Sequence, residues 1–560
     1  MVNAVLVSDR AWCSPRARLD KSQILFFERN RYAGMTSSTR PSSSHVARSA
    51  ALVAALFAFD KVLALGRDVV ISRAFGASAE LDAYYAAFEL PDGLFTILAG
   101  SAMATTLIPI LAARIRRDEH DAAWELVSAV VNLALLIVAV VGFVAALFAP
   151  QVISAVAPGF DPEQVALGAK LMRLVLIQTL IFTVSGILVG VLRAYQHFFL
   201  PALAPVCYTL GRILGTLFLA PRWGIFGLAW GGVGGAIVYF LVLLPGLVRF
   251  GARWSPALTH PDMRALLKLI GPRMIGLGAT YLNFVLPTFL GSRLSEGAIS
   301  AYEYGWRLMQ FPQTIVGTAL GITVFPTLAA LASSEDRDGL RRTASWALRL
   351  VLALAVPAGI GLLVLGRPLT VLLFQRGAFD AATTDRVFLA LQFFSLGLIF
   401  HSALEVTSRL FYAQKDMWTP LWAAVAGLIV NAGLGWLLLP TLAQGSVALS
   451  NSLGVGLQVT LLLYVARRRL KGFEGSAVAA SLGRTLGASA LMTAAVLGLR
   501  ALAPSLNPRI LGVAGLALGT LVYLGSAVLL GSEEIRQLPR LLLNRDDDVR
   551  ATTLEPPSRT

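Results

Sequence analysis

Charge is scarce in this chain: only 14% of its 560 residues are Asp, Glu, Lys or Arg, against about 25% in an ordinary soluble domain. Two cysteines, Cys13 and Cys207, are too few for a disulfide scaffold or a Cys-rich metal or iron–sulfur site. Five histidines with no HExxH or paired His/Cys spacing argue against a zinc enzyme. No GxxxxGK[ST] loop is present to hold ATP. No DxD-type carboxylate cluster stands in a large loop, which argues against a membrane-embedded glycosyltransferase. No metal and no cofactor is therefore expected. What is abundant is apolar: 56% of the residues are hydrophobic and the mean hydropathy is +0.70. A soluble chain of this length needs polar surface to cover two or three cores, and that surface is missing. Lipid must be the solvent over most of the chain, which reads as an all-α polytopic membrane protein.

The formal net charge is +15. In a soluble protein this balance would suggest nucleic acid. Here it fits the gathering of cations in cytoplasmic loops, where anionic headgroups reward them, so nucleic acid is not expected as a partner. A spanning helix needs about 20 mostly apolar residues. Fourteen candidate spans satisfy this, near 49–75, 82–113, 124–149, 165–193, 200–220, 225–249, 265–292, 299–332, 343–365, 385–413, 418–439, 446–466, 480–503 and 508–531. Loops after even-numbered spans carry Arg114, Arg116 and Arg117, then Arg249, Arg253, Arg264 and Lys268, then Arg337, Arg341 and Arg342, and last Arg467, Arg468, Arg469 and Lys471. The opposite loops, such as 157–164 and 440–446, are poorer in cations, although Arg367, Arg376 and Arg386 break the pattern. Both termini should therefore be cytoplasmic. Residues 1–47 read as a disordered cytoplasmic tail or an upstream extension, with Met35 an alternative start, and 532–560 as a second tail.

The chain also repeats itself. LDAYYAAFEL (81–90) aligns with ISAYEYGWRL (299–308), TLIPILAA (106–113) with TVFPTLAA (323–330), and APGFDPEQV (157–165) with QRGAFDAAT (375–383). The spacing stays between 217 and 219 residues. A repeat unit of six spans is even, so both copies cross the membrane in the same direction, and a site is expected between them. The implied organisation is a tail (1–47), an N-terminal six-helix lobe (48–250), a C-terminal six-helix lobe (251–472), two further transmembrane helices (473–531) and a tail (532–560).

An ionisable group at bilayer depth is expensive, about 2.5–3.5 kcal/mol on insertion scales, so it usually faces a cavity or a partner. The first span carries Asp60, Lys61, Arg67, Asp68 and Arg73. Asp60 and Arg67, seven apart, share a helix face. Two self-neutralising pairs, Asp60–Arg67 and Asp68–Lys61, are the structural alternative to a site. The eighth span carries Glu303 and Arg307 at i, i+4, a spacing that permits an ion pair. Cations in spans 1 and 8 come from different lobes and could face one central cavity, where arginine's planar fork suits a phosphate. Glu405, with Arg409 one turn later, is a further cavity candidate.

At these residues the sequence resembles the MurJ (MviN) family of lipid II flippases, within the multidrug/oligosaccharidyl-lipid/polysaccharide exporter superfamily. The resemblance covers about 47–530 and is clearest in GRDVVISRAFGASAELDAYYAAFELP (66–91) and YGWRLMQFPQTIVGTALGITVFPTLA (304–329), with LFQRGAFD (373–380) and RLFYAQKDMWTP (409–420) in support. It implies fourteen transmembrane helices, two six-helix lobes in a V shape and two C-terminal helices that form a lipid-facing groove. It implies a cationic cavity for the diphosphate of an undecaprenyl-linked glycan, most naturally the peptidoglycan precursor lipid II, moved from the inner to the outer leaflet of the plasma membrane. Substrate-binding positions carried over are Lys61, Arg67, Asp82, Ser300 and Arg307, with Asp60, Glu303 and Glu405 as possible cavity carboxylates. Membrane lipids and cell-wall synthesis enzymes are the other partners it suggests. One departure stands out: Phe95 occupies the place of a cavity arginine, and Gly100-Ser101 replaces Glu-Gly. A flippase for another lipid-linked oligosaccharide thus stays open. A cation-coupled drug exporter working through Asp60, Glu303 or Glu405 and a non-transporting scaffold are more distant readings. The sodium-site aspartate that some members carry is a glycine here, Gly435, so no such site is expected.

Overall fold

The computed structural model of the chain describes residues 43–98, 101–263, 268, 281–472 and 474–537. Most of both expected tails, Cys13, Met35, Gly100, Arg264 and the first part of the seventh expected span lie outside them. The chain divides into a unit ending at Ala55 and a unit from Leu56 onward, and every interaction described below lies within the second.

All regular elements among the described residues are helical. They run α1 Ser43–Phe75, α2 Ala79–Leu98, α3 Ser101–Arg116, α4 His120–Leu147, α5 Ala149–Val156, α6 Pro162–Ala194, α7 Phe199–Trp223, α8 Ile225–Arg249, α9 Tyr281–Gly291, α10 Ala298–Ser333, α11 Arg337–Leu373, α12 Ala381–Ala413, α13 Trp418–Leu442, α14 Gln444–Arg469, α15 Gly475–Leu502 and α16 Pro508–Leu529. Eleven of these are long and apolar enough to cross a membrane: α4, α6 to α8 and α10 to α16. The chain is a multi-pass all-α membrane protein. The second expected span is described as two helices, α2 and α3, on either side of residues 99–100. Within α7 and α10 single π turns stand at Gly215–Leu219 and Thr314–Thr318.

The duplication read from three short segments extends to the helix boundaries. Helices α6 and α12 each have 33 residues, and both ends are displaced by 219 positions. Their first turns are capped alike: Asp161 accepts from the Gln164 backbone N–H, and Asp380 from that of Thr383. A side-chain oxygen there satisfies an N–H that the helix itself leaves orphaned. Helices α7 and α13 are likewise displaced by 219 at both ends. Left-handed residues recur at matching joints, Asp118 with Glu335, Gln196 with Lys415 and Gly224 with Ala443. In each copy the same helix is central: α6 packs on α2, α3, α4 and α8, and α12 on α10, α11 and α14. Helices α7 and α8 meet backbone to backbone, since a Cβ on Gly211 would lie 2.4 Å from the Gly235 Cα and one on Gly215 2.4 Å from that of Gly231. In lipid, where apolar burial between helices gains little, such close van der Waals contact is what holds helices together.

Three large apolar clusters locate the site. One joins both copies and is built from helix ends of one side: Ile71, Tyr84 and Leu171 with Tyr304, Phe379 and Phe394. At the opposite ends of the same helices the cores separate, one around Leu126, Ile187 and Leu243 and the other around Leu328, Val351 and Phe411. The Arg-rich loops lie at the separated end. The irregular backbone entering the second copy is strapped along α4, where Asn132 Nδ2 donates to the carbonyls of Ser255 and Ala257 at 2.8 and 2.9 Å and Trp124 Nε1 donates to that of Phe250.

Candidate functional site

Arginines from the two copies meet at one carboxylate. Arg67, one turn before core residue Ile71 on α1, donates through Nε and Nη2 to Asp68 Oδ1 at 2.9 and 2.8 Å. Arg307, beside core residue Leu308 on α10, donates through Nη1 to the same oxygen at 2.5 Å. Glu303 lies one turn back, 3.5 Å from Arg307 Nη2, which is the i, i+4 pair its spacing allows. Side-chain exposures of 15% for Arg67, 7% for Asp68 and 20% for Arg307 describe a cluster withdrawn from lipid yet not sealed. Removing one partner of such a pair leaves an uncompensated charge and costs about 3–5 kcal/mol. The pairing differs from both alternatives read in the sequence. Asp60 accepts instead from the Thr209 hydroxyl at 3.1 Å, and Asp68 is held by Arg67 and Arg307. Lys61, six residues before Arg67 and thus about 9 Å along the axis, is exposed and has no ion-pair partner among the described residues.

The sequence reading missed a third cation. Arg212 on α7 is 8% exposed, with its guanidinium carbon 5.6–5.9 Å from the rings of Tyr84, Phe88 and Tyr208. The Tyr84 ring meets that of Tyr85 at 5.9 Å, and Tyr85 lies 5.3 Å from the Arg307 guanidinium carbon, so a tyrosine pair bridges Arg212 to the Arg67–Asp68–Arg307 cluster. The insertion-cost argument that singled out Arg67 applies equally to an arginine inside span 5. Two α2 carboxylates were missed as well. Glu89 accepts from the Thr288 hydroxyl at 2.5 Å, while Asp92, one turn on, is exposed. Phe95, where the resemblance leads one to expect arginine, packs on Phe182, whose ring meets Tyr208 edge-on. The position has joined the aromatic wall that ends on Arg212.

Asp82 and Ser300 are brought together, but at the joint between the copies. Asp82 accepts from the backbone N–H groups of Gly297 and Ser300 at 2.8 and 2.7 Å and from the Ser300 hydroxyl at 2.5 Å. These N–H groups open α10, which has no side-chain cap of its own. A carboxylate of one copy thus caps a helix of the other. Tyr304 Oη to the Gly76 carbonyl, the Ala378 N–H to the Arg73 carbonyl and the Gly159 N–H to Ser292 Oγ fasten the same end. A cavity of about 250 Å³ lined by Asp82, Gln164 and Glu296 lies beside it. At the opposite end the hydrogen bonds and ion pairs between the copies seen among the described residues all run from the stretch 253–262 back onto α3 and α4, as in Arg114–Asp262 and Arg253–Asp121. Glu405 stands apart, paired with Arg409 and accepting from Thr318 at the π turn of α10. Arg367, Arg376 and Arg386, the exceptions to the loop-charge pattern, are engaged locally by Asp385 and by the carbonyls of Leu372 and Glu296. No cluster of three or more His, Cys, Asp or Glu residues suited to a metal occurs among the described residues.

The family profile described as lipid II flippase MurJ matches residues 71–513. The lipid II flippase MurJ of Burkholderia cenocepacia is 32% identical over 419 residues, covering 73% of this chain and 81% of that protein. The probable lipid II flippase MurJ of Thermotoga maritima is 28% identical over 483 residues, covering 86% and 96%. Among solved structures, lipid II flippase MurJ in an inward closed conformation superposes with a TM-score of 0.74 at 24% identity, over 87% of this chain and all of that one. A MATE-family multidrug transporter in an inward-facing conformation reaches 0.61 at 17% identity, over 74% and 94%. At these identities the structural likenesses establish the fold, while the sequence match over most of the chain establishes the lineage: this chain belongs to the MurJ family of lipid II flippases, which are transporters and not enzymes.

Proposed function

We propose that this chain carries an undecaprenyl-diphosphate-linked peptidoglycan precursor, lipid II, from the inner to the outer leaflet of the plasma membrane, and that the diphosphate is held between Arg67 and Arg307. The observation that carries the reading is the convergence of these two guanidinium groups, one from each copy, on a single carboxylate oxygen. A diphosphate can take the place of Asp68 there, because each arginine presents a planar fork of donors to anionic oxygens. The task is electrostatic. Bare ionised groups in hydrocarbon face penalties of order tens of kcal/mol by Born arguments, and fixed donors at mid-depth replace the lost water while the polyprenyl tail stays in lipid.

The architecture behind this reading is fourteen spans: two parallel six-helix lobes opening as a V, and two C-terminal helices. Both termini are cytoplasmic, so the fastened end faces outward and the separated end faces the cytoplasm. Alternating access then consists of unfastening the Asp82–Ser300 joint while the other end closes. Lys61 lies toward the separated end and acts in first capture of the headgroup. Asp82 and Ser300 act as the gate whose opening exposes the substrate. Asp60, Glu303 and Glu405 keep neighbouring polar groups and cations in place between arrivals.

The test is translocation of lipid II in reconstituted vesicles by wild type, Arg67→Gln and Arg307→Gln, with membrane yield and thermal stability checked in parallel. Both variants should lose flipping while staying folded. Wild-type flipping by both would overturn the reading. Complementation of a strain depleted of its lipid II flippase distinguishes lipid II from other lipid-linked glycans, a rival that Phe95 keeps alive.

A further inference from the structure

We propose that Arg212 is a third phosphate-gripping arginine beside the Arg67–Asp68–Arg307 cluster and the one that makes the site prefer a diphosphate over a monophosphate; this rests on that cluster being the lipid-diphosphate site. Arg67 and Arg307 are matched by Asp68 and Glu303, two cations against two carboxylates. Arg212 has no carboxylate within ion-pair distance among the described residues, and its Nε is buried without a hydrogen-bond partner. A buried guanidinium left in this state is costly unless something else satisfies it.

What surrounds it holds the group without using its donors. The rings of Tyr84, Phe88 and Tyr208 offer π faces to the cation but no strong acceptor for its five in-plane N–H bonds. Tyr208 is itself steadied by Gln178 Nε2 at 3.1 Å from its hydroxyl. Across the interface Gly232 leaves room for Gln178, since a Cβ there would lie 2.8 Å from the Gln178 Oε1. The result is a preorganised cation with a free donor edge, close to the pair that grips the first phosphate. One phosphate can be held by Arg67 and Arg307 alone. A second phosphate bonded to the first adds oxygens beyond that pair, and Arg212 is the unengaged donor available to them. The ligand class is therefore a polyprenyl diphosphate.

Native mass spectrometry of the full-length protein with undecaprenyl diphosphate and undecaprenyl monophosphate as probes decides the matter. Arg212→Gln should lower the diphosphate-to-monophosphate preference by about tenfold or more, the loss of one charge-assisted contact. Arg212→Lys keeps the charge and fits the same aromatic pocket but lacks the fork, so it should fall between the two and serves alone if the glutamine variant does not fold. If Arg67→Gln and Arg307→Gln lose both lipids while the Arg212 variants keep the wild-type preference, this inference fails and the site reading stands. If all the variants bind like wild type, the site reading fails and takes this inference with it. Equal weakening for both lipids in the Arg212 variants also overturns it, because a merely structural clamp would do that.

Discussion

Asp82 is the strongest single handle on the conformational equilibrium. Its carboxylate accepts three hydrogen bonds from the start of α10, two of them from backbone N–H groups that have no other partner to turn to. Hydrogen bonds to a charged group contribute about 1.5–3 kcal/mol each. Asp82→Ala removes all three but also removes the burial of a carboxylate, so a net loss of about 3–6 kcal/mol at the joint is expected. At about 1.4 kcal/mol per tenfold, the balance between fastened and parted joint should move by a factor of roughly 10² to 10⁴. Ser300→Ala removes the hydroxyl bond alone and should move it about tenfold. Spin labels at Glu163 and Ala382, exposed first-turn positions of α6 and α12 on either side of the joint, report the separation in a background with Cys13 and Cys207 replaced by serine. Wild type should give one short distance population. Asp82→Ala should add a dominant longer one, and Ser300→Ala a minor one. An unchanged distribution in Asp82→Ala would refute the role assigned to this contact.

Further outcomes follow from the same geometry. Asp68→Asn strips the counter-charge from Arg67 and Arg307, so undecaprenyl diphosphate should be retained longer and turnover should slow; loss of both binding and turnover in a folded variant would contradict this. Gly377 has φ +61 and a Cβ there would lie 2.4 Å from the Arg73 carbonyl oxygen, so Gly377→Ala should part the joint in the same spin-label assay. Asn132→Ala breaks three of the bonds that strap residues 253–257 to α4, and tryptic cleavage after Arg253 should become faster with little change in overall melting temperature. In the loop before α13, burial alone would raise the Asp416 carboxyl, but bonds from Thr419 and Arg469 outweigh it and hold the group down at about 2. A depressed carboxylate stabilises the fold above its unfolded pKa of about 4 and loses that contribution as pH falls toward 2. The melting-temperature gap between wild type and Asp416→Asn should therefore be full at pH 5 and shrink steadily below pH 4.

The parts of this molecule that were legible in its sequence are those set by the solvent. Apolar length gave spans that coincide with α4, α6 to α8 and α10 to α16, because a backbone in lipid has no alternative to the helix. The duplication was visible where charge and aromatic residues interrupt the apolar background, as in Phe160-Asp161 and Phe379-Asp380, which proved to be matching helix caps. Within the site, Glu303–Arg307 could be read because both residues lie on one helix. Asp68–Arg307 could not, since that contact joins positions 239 residues apart and depends on how the two copies pack. The same applies to Asp82, whose partners are backbone groups of another helix and carry no side-chain signature. Arg212 was hidden differently. Its surroundings are aromatic, so no nearby opposite charge drew attention to it.

The charge balance at the centre bears on how a carrier can return empty. Without Asp68, Arg67 and Arg307 would face only Glu303 between substrates, and the net positive charge left at membrane depth would resist any movement closing it off from water. Asp68 and Glu303 together balance the two arginines in the unloaded cluster, and Asp68 occupies the geometry a phosphate oxygen would take. An arriving phosphate then exchanges one anion for another, so much of its binding energy goes into displacing Asp68 and the hold stays moderate. That serves transport, because a site that gripped the headgroup with fully bared arginines would bind well and release poorly, whereas only affinity that differs between the two conformations can drive the cycle. Asp68 belongs to one copy and Arg307 to the other, so their contact is made or broken by relative movement of the copies. Under the proposed function, loading the site and loosening the contact between copies would in this way be the same event.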